Sequence, residues 1–211
     1  MAPLENIDLP DGYSRRIKNI DMLLEQNKLR IYMSKDYMLD TMIPIVQYVS
    51  ENYISIKYNP EKEEHCIWVT LLADKVGKVY IHSAYQSLNE IAKNEKIIKV
   101  YDFHGVVPEE LRLMGNEEGA KKLENEESVI VLNATYIVVA NRAMKRHILK
   151  KYPGCISEFI LFPMNNADND RDSDSETNKT SLDKPVVIYS GGLQKWQLIS
   201  EMQDAMERQK D

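Results

Sequence analysis

Cysteine is scarce in this chain: Cys66 and Cys155 are the only two in 211 residues. They lie far apart and outside any CxxC or Cys/His cluster. That argues against a disulfide framework or a cysteine metal site, and predicts two buried, reduced thiols in a cytoplasmic protein. Long hydrophobic runs are missing too; none approaches the roughly 20 residues that cross a bilayer. Residues 1–11 carry neither the basic nor the apolar stretch of a secretory signal. Positive charge does not predominate, since 27 Lys and Arg face 33 Asp and Glu for a net charge of −6. No global basic field is therefore present to hold a nucleic acid. A complete GxGxxG fingerprint, a P-loop and an HExxH helix are also absent. A flavodoxin-like or dinucleotide-binding domain is thereby the weakest reading.

What is present is an ordinary globular composition, 43% apolar and 28% charged, enough for one substantial domain. Short apolar runs at 29–33, 54–58, 78–82, 97–102, 136–140, 158–162 and 185–189 read as strands. Most are continuous rather than alternating, as expected of parallel strands covered on both faces. Helical spacing separates them. Tyr13, Ile17, Ile20 and Leu24 share one face, with Arg15, Arg16 and Lys18 turned elsewhere. Ala120, Leu123, Ile130 and Ala134 mark a longer Glu-rich helix. Met144, Ile148 and Tyr152 mark a third, closed by Pro153-Gly154. This alternation predicts an α/β fold with a Rossmann-like parallel sheet flanked by helices. Residues 41–52, interrupted by Pro44, give the least clear pattern of the chain.

Composition breaks after Phe162. Residues 165–184 are acidic and almost free of apolar side chains, so they read as a linker. A fresh βα unit follows: Pro185-Val186-Val187-Ile188-Tyr189, then Ser190-Gly191-Gly192, then a helix over about 197–208. The expected organisation is a Rossmann-like domain over 1–164, a linker over 165–184, and over 185–211 the first strand and helix of an incomplete second domain. A single βα unit has no second layer to pack against.

Chemistry concentrates at strand ends. In Asp102-Phe103-His104-Gly105-Val106-Val107-Pro108-Glu109-Glu110 a strand ends, the chain turns at His104-Gly105, and Pro108 with two acids opens a helix. Ligands of parallel α/β sheets bind beyond the carboxyl ends of strands, where His104 falls. Its imidazole suits a sugar hydroxyl; the plainer alternative is that Asp102 and His104 only tie the turn together. His82 ends another run, with a structural role as the plainer reading. Asp11-Gly12-Tyr13-Ser14-Arg15-Arg16 precedes a helix: Gly12 suits a tight turn and an Arg there suits a phosphate, against the alternative of solvated arginines. Gly191, Gly192 and Lys195 would let backbone N–H groups and a cation approach a phosphate. The run Arg142, Lys145, Arg146, His147, Lys150 and Lys151 reads as a solvated helix face, with peripheral contact to an anionic membrane as the rival.

Together these segments resemble bacterial retaining glycosyltransferases of the two-domain GT-B type that build surface polysaccharides. The likeness rests on Asp11-Gly12-Tyr13 with Arg16-Ile17 and Ile20-Asp21, on Arg30-Ile31-Tyr32, and on Tyr80-Ile81-His82-Ser83. It continues through the Asp102–Glu110 segment, Val138-Val139-Ala140-Asn141 and Tyr189-Ser190-Gly191-Gly192. The resemblance implies an acceptor-side domain followed by the start of a donor domain. The implied reaction is hexosyl transfer from a nucleotide-sugar to a glycan or lipid-linked acceptor, with no metal and no cofactor beyond that donor. It casts His104 as the residue contacting the transferred sugar. Gly12, Tyr13, Arg16, His82, Asp102, Gly105 and Glu109 fall to the substrate side, and Gly191, Gly192 and Lys195 to the donor diphosphate. Gly192 stands where the family often carries Arg. The resemblance places the family's later pair of Glu, separated by seven residues, well inside the C-terminal domain and past residue 211, so a truncated, inactive form is expected. The alternative is a non-catalytic subunit completing a cleft with a separate donor-domain chain. The expected location is cytoplasmic, free or peripheral at the inner membrane face.

Overall fold

A computed structural model describes residues 12–25, 27–86, 88–163 and 198–208. The chain opens with helix α1 (Gly12–Leu23), then β1 (Arg30–Lys35), β2 (Ile45–Ser50) and β3 (Tyr53–Tyr58). Helix α2 (Glu63–Val76) leads to β4 (Lys78–Ile81), a 3-10 turn over Ala84–Gln86, α3 (Asn89–Lys93) and β5 (Ile98–Phe103). Then come α4 (Val107–Leu113), α5 (Glu117–Asn133), β6 (Tyr136–Val139), α6 (Arg142–Lys151), β7 (Glu158–Leu161) and α7 (Ile199–Glu207). Strands β4, β5, β6 and β7 lie in that order in one sheet, all parallel. With helices on its faces, this is the Rossmann-like α/β layering the apolar runs imply.

The alternation of side chains along a strand decides what this sheet does with β5. Tyr101 and Phe103 point to one face, edge to face at 5.9 Å, and join Ile137 and Val139 of β6 in the main core. Leu123, Ile130 and Val131 of α5 and Ile148 of α6 cover that face. Asp102, between the two aromatics, must point to the opposite face. Helix α5 starts on an Asn116 cap whose side chain accepts the Gly119 N–H at 2.9 Å. A Cβ on Gly119 would lie 2.7 Å from that same side chain, so the cap and the glycine require each other. Asn141 caps α6 in the same way through the Met144 N–H.

Two findings depart from the sequence reading. Residues 45–50, left unassigned because of Pro44, form β2, an edge strand antiparallel to β3 and exposed along its whole length. Pro44 sits just before the strand, where no ladder N–H is required of it. With β1 parallel to β3, these strands make a separate sheet ordered β1-β3-β2. The cysteines are free but only half-buried, contrary to the buried thiols expected. Cys66 lies on α2 against a smaller cluster formed by Tyr58, Val69, Ala73, Ile91 and Ile97, at its margin rather than inside it.

Buried polar groups fasten the helices. His65 accepts the Asn59 N–H at its Nδ1 and approaches the Thr41 carbonyl with Nε2, locking the turn between β3 and α2. Lys151 reaches Glu109 at 2.8 Å and both Glu124 and Glu127 at 3.0 Å, tying α6 to α4 and α5. Arg112 pairs with Glu124 as well, and the Tyr152 hydroxyl donates to Glu127 at 2.7 Å. Lys151 is therefore no solvated cation, as the basic run implied. Two carboxylates around it come from a helix whose register the run itself does not reveal.

Candidate functional site

Asp102 is the hub of a polar cluster on the face of the sheet opposite the main core. Its side chain has no solvent exposure. Arg16, from the second turn of α1, clamps it with two hydrogen bonds: Nε to Oδ2 at 2.7 Å and Nη2 to Oδ1 at 2.5 Å. The Tyr80 hydroxyl, from β4, donates to Oδ2 at 2.9 Å. The His104 Nε2 lies 3.0 Å from the same oxygen. Arg16 also spans the sheet, with Nη1 3.5 Å from the Phe162 carbonyl and its guanidinium 5.4 Å from the Phe162 ring centre. Thus groups from α1, β4 and the end of β5 converge on a single carboxylate, and the residue after β7 braces the arginine.

The sequence places these groups by simple rules. His82 and His104 each follow directly on a parallel strand, β4 and β5, so both stand at the carboxyl edge where such sheets bind ligands. Tyr80 and Asp102 are each two residues earlier and share their face. The His82 ring lies 4.7 Å from Tyr80, 6.1 Å from His104 and 6.4 Å from Tyr32 of β1. It sits in an aromatic notch that closes the top of the sheet.

Electrostatics follow from burial. Desolvation works against the Asp102 carboxylate, but hydrogen bonds from His104 and Arg16 outweigh it and hold the pKa down at about 2. His82 goes the other way for a base: loss of water, then the neighbouring His104, lower its pKa to about 4. At neutral pH His82 is therefore an uncharged donor and acceptor.

His82, Asp102 and His104 offer ligand atoms all within 4.8 Å of one another, a spacing a metal ion would accept. The chemistry of the donor set is against it. Both Asp102 oxygens already accept from the Arg16 guanidinium, so an added cation would face a fixed buried charge and compete for lone pairs in use. The neutral His82 imidazole, beside a compensated ion pair, suits uncharged hydroxyl groups better.

Several expected site residues meet here and others do not. Arg16, His82, Asp102 and His104 form one cluster, with Gly105 in the turn that follows; its missing Cβ would sit 3.0 Å from Glu110 Oε1. Arg16 is not a solvated arginine, because Asp102 lies beneath it and draws it inward; it is 4% exposed. Glu109 instead joins the helix-fastening network, at 3.2 Å from His147 and 2.8 Å from Lys151. Gly12 begins α1, while the Tyr13 side chain lies outside the described residues. So do Gly191, Gly192 and Lys195 with the rest of 164–197. Tyr80 and Phe162 were missed. Tyr80 was legible from its two-residue spacing to His82; Phe162 had no local signal. No family model, curated protein or solved structure shows a significant match to this chain.

Proposed function

We propose that the domain is the acceptor-side half of a nucleotide-sugar-dependent glycosyltransferase. The observation that carries the proposal is the convergence of Arg16, His82, Asp102 and His104 at the carboxyl edge of a parallel sheet. Such an edge binds small polar ligands, and this one offers two imidazoles held by buried partners rather than a nucleophile. Asp102 spends its charge on Arg16, so its service to His104 is orientation. His104 then positions a sugar hydroxyl, and His82 adds an uncharged hydrogen-bonding group beside it. In this reading Arg16 is not a phosphate ligand but the clamp that holds Asp102. Donor diphosphate contacts fall to Gly191, Gly192 and Lys195 or to a separate donor-domain chain. Acceptors of the glycan or lipid-linked class match the hydroxyl chemistry. Exposed Arg142, Arg146 and Lys150 on α6 favour approach to an anionic membrane face, although no described helix is long and apolar enough to cross one.

The test is ligand titration followed by NMR of the imidazole resonances. Oligosaccharides or polyprenol-linked sugars should shift His82 and His104 together, and His104→Ala should weaken that binding by at least about 10-fold, roughly 1.4 kcal/mol. Nucleotide-sugars alone should bind weakly. Tight binding of a nucleotide with no response from either histidine would refute the acceptor-side reading.

One observation favours the second reading, a non-catalytic subunit. Ile45, Val46, Tyr48 and Val49 of strand β2 are exposed beside Met42 and Ile43, a run of apolar side chains of the kind that a partner chain covers. Sugar transfer on mixing with a donor-domain chain supports that reading, and transfer by this chain alone excludes it.

A further inference from the structure

Helix α2 does not hide all the apolar residues its sequence supplies. His65, Val69 and Ala73 turn inward and are buried. On the outward side Ile67, Trp68 and Leu71 are 51%, 59% and 64% exposed. Single exposed apolar side chains are ordinary, but a tryptophan beside two aliphatic residues on one helix face marks a contact surface. The charges around them say what covers it. Glu64, Trp68, Leu71 and Lys75 follow one another at intervals of four, three and four residues, the seam spacing of paired helices. The pattern reads the same from either end, because the midpoint between Trp68 and Leu71 is also the midpoint between Glu64 and Lys75. Both charged residues are exposed, and neither makes an ion pair among the described residues.

We propose that two copies of this chain associate through α2, laid antiparallel about a two-fold axis at that midpoint. Trp68 of each copy then meets Leu71 of the other, and Glu64 of each meets Lys75 of the other. Every pairing occurs twice, so one helix face is complementary to itself. A parallel arrangement would instead set Glu64 against Glu64 and Lys75 against Lys75. The apolar centre supplies the attraction. The outer ion pairs, exposed and weak singly, fix the direction. Other occupants fit less well. Glu63, Glu64 and Asp74 lie on or beside the face and repel an anionic membrane. Strand β2, though also apolar and exposed, carries no charge from Ile45 to Ser50 that would select a partner or an orientation. A 14-residue helix is about 21 Å long, so the contact lies at the small end of specific interfaces and dimerisation is reversible in the micromolar range. The pairing makes no use of the histidine edge and holds whatever ligand that edge takes.

Sedimentation equilibrium of the full chain across the micromolar range tests the proposal. The protein should pass from monomer to dimer as concentration rises, and a monomer throughout overturns the pairing. Leu71→Glu should raise the dimer dissociation constant at least about 10-fold, whereas Val46→Asp on β2 should leave it unchanged. Because Leu71 faces outward, its replacement does not disturb the core. A dimer that survives Leu71→Glu overturns the proposal, whatever Val46→Asp does. Charge exchange tests the direction. Glu64→Lys alone and Lys75→Glu alone each bring like charges together at both ends and should weaken the dimer. Mixing these two variants matches opposite charges again and should yield a heterodimer, and the chain carrying both exchanges should recover the homodimer. Each exchange also opposes the helix dipole, so recovery in the double variant does not come from a more stable helix. Single exchanges that leave the dimer intact, or a double exchange that fails to restore it, refute the antiparallel pairing. None of these measurements reads sugar binding, so failure here leaves the acceptor-side reading to its own titration.

Discussion

His82 sets an acid limit on the stability of the fold that can be worked out from its surroundings. Its ring is packed among Tyr32, Tyr80 and His104, with Asp102 and Arg16 just beyond. Burial, then His104, then Arg16 oppose a positive charge there, and Asp102 alone favours it. The folded pKa is about 4 against an ordinary 6.5. A base whose folded pKa is depressed binds its proton more readily in the unfolded chain. Stability is therefore intact above the unfolded value and falls as pH drops from about 6.5 towards 4. Two and a half pKa units correspond to about 3 kcal/mol, a large share of the 5–15 kcal/mol typical of a domain. Urea unfolding followed by circular dichroism at pH 8, 7, 6, 5 and 4.5 measures the loss. His82→Gln removes the titrating ring but keeps a polar side chain of similar length, so the variant should lose about 2 kcal/mol less than the parent between pH 7 and 4.5. Parallel losses in the two proteins would show that His82 is not the buried neutral group described.

Other consequences are equally direct. Asp102→Asn leaves the Arg16 guanidinium buried without its anion and should cost about 3–5 kcal/mol; adding Arg16→Met should recover part of that loss in urea unfolding, which independent contributions would not allow. Lys151→Met leaves Glu109, Glu124 and Glu127 crowded together without their shared cation and should cost about 1–3 kcal/mol. A second change, Glu127→Gln, should reduce that cost, and additive losses would contradict a shared network. Zinc, manganese or magnesium at millimolar level should leave the melting temperature of the chelator-treated protein unchanged, because Arg16 already occupies Asp102. A rise that His104→Ala abolishes would reinstate the metal reading.

The parallel sheet was legible because its strands announce themselves. Residues 136–140 are apolar throughout and 97–102 are apolar except at Lys99 and Asp102, a density that a short run shows when a strand is covered on both faces. β6 and β5 lie there, within a residue or so at each end. The capped, Glu-rich α5 was visible for a similarly local reason, the spacing of Ala120, Leu123 and Ile130. Residues 45–50 were not legible, because β2 is exposed on every residue and its apolar side chains answer to no core the sequence reveals. Periodicity reports burial; a strand with no buried face has none to report.

Site residues divide along the same line between local and non-local causes. His82 and His104 could be placed at the ligand edge from sequence, since their position follows from where a strand stops. The role of Arg16 could not, because the sequence shows a helix with its arginines off the apolar stripe, and solvation is the usual fate of such residues. What turns Arg16 inward is a carboxylate 86 positions away. That contact changes the chemistry assigned to the whole cluster. A free arginine at a sheet edge is a phosphate ligand, whereas an arginine already held by Asp102 in two hydrogen bonds is scaffolding. The imidazoles beside it then face a compensated pair instead of an open charge. The proposed preference for neutral hydroxyl groups over anions or metal ions rests on that one contact, so Arg16→Met with Asp102→Leu should preserve more of the fold than either change alone while removing the orientation of His104. A double variant that folds and still binds sugars with parental affinity would show that His104 needs no such support.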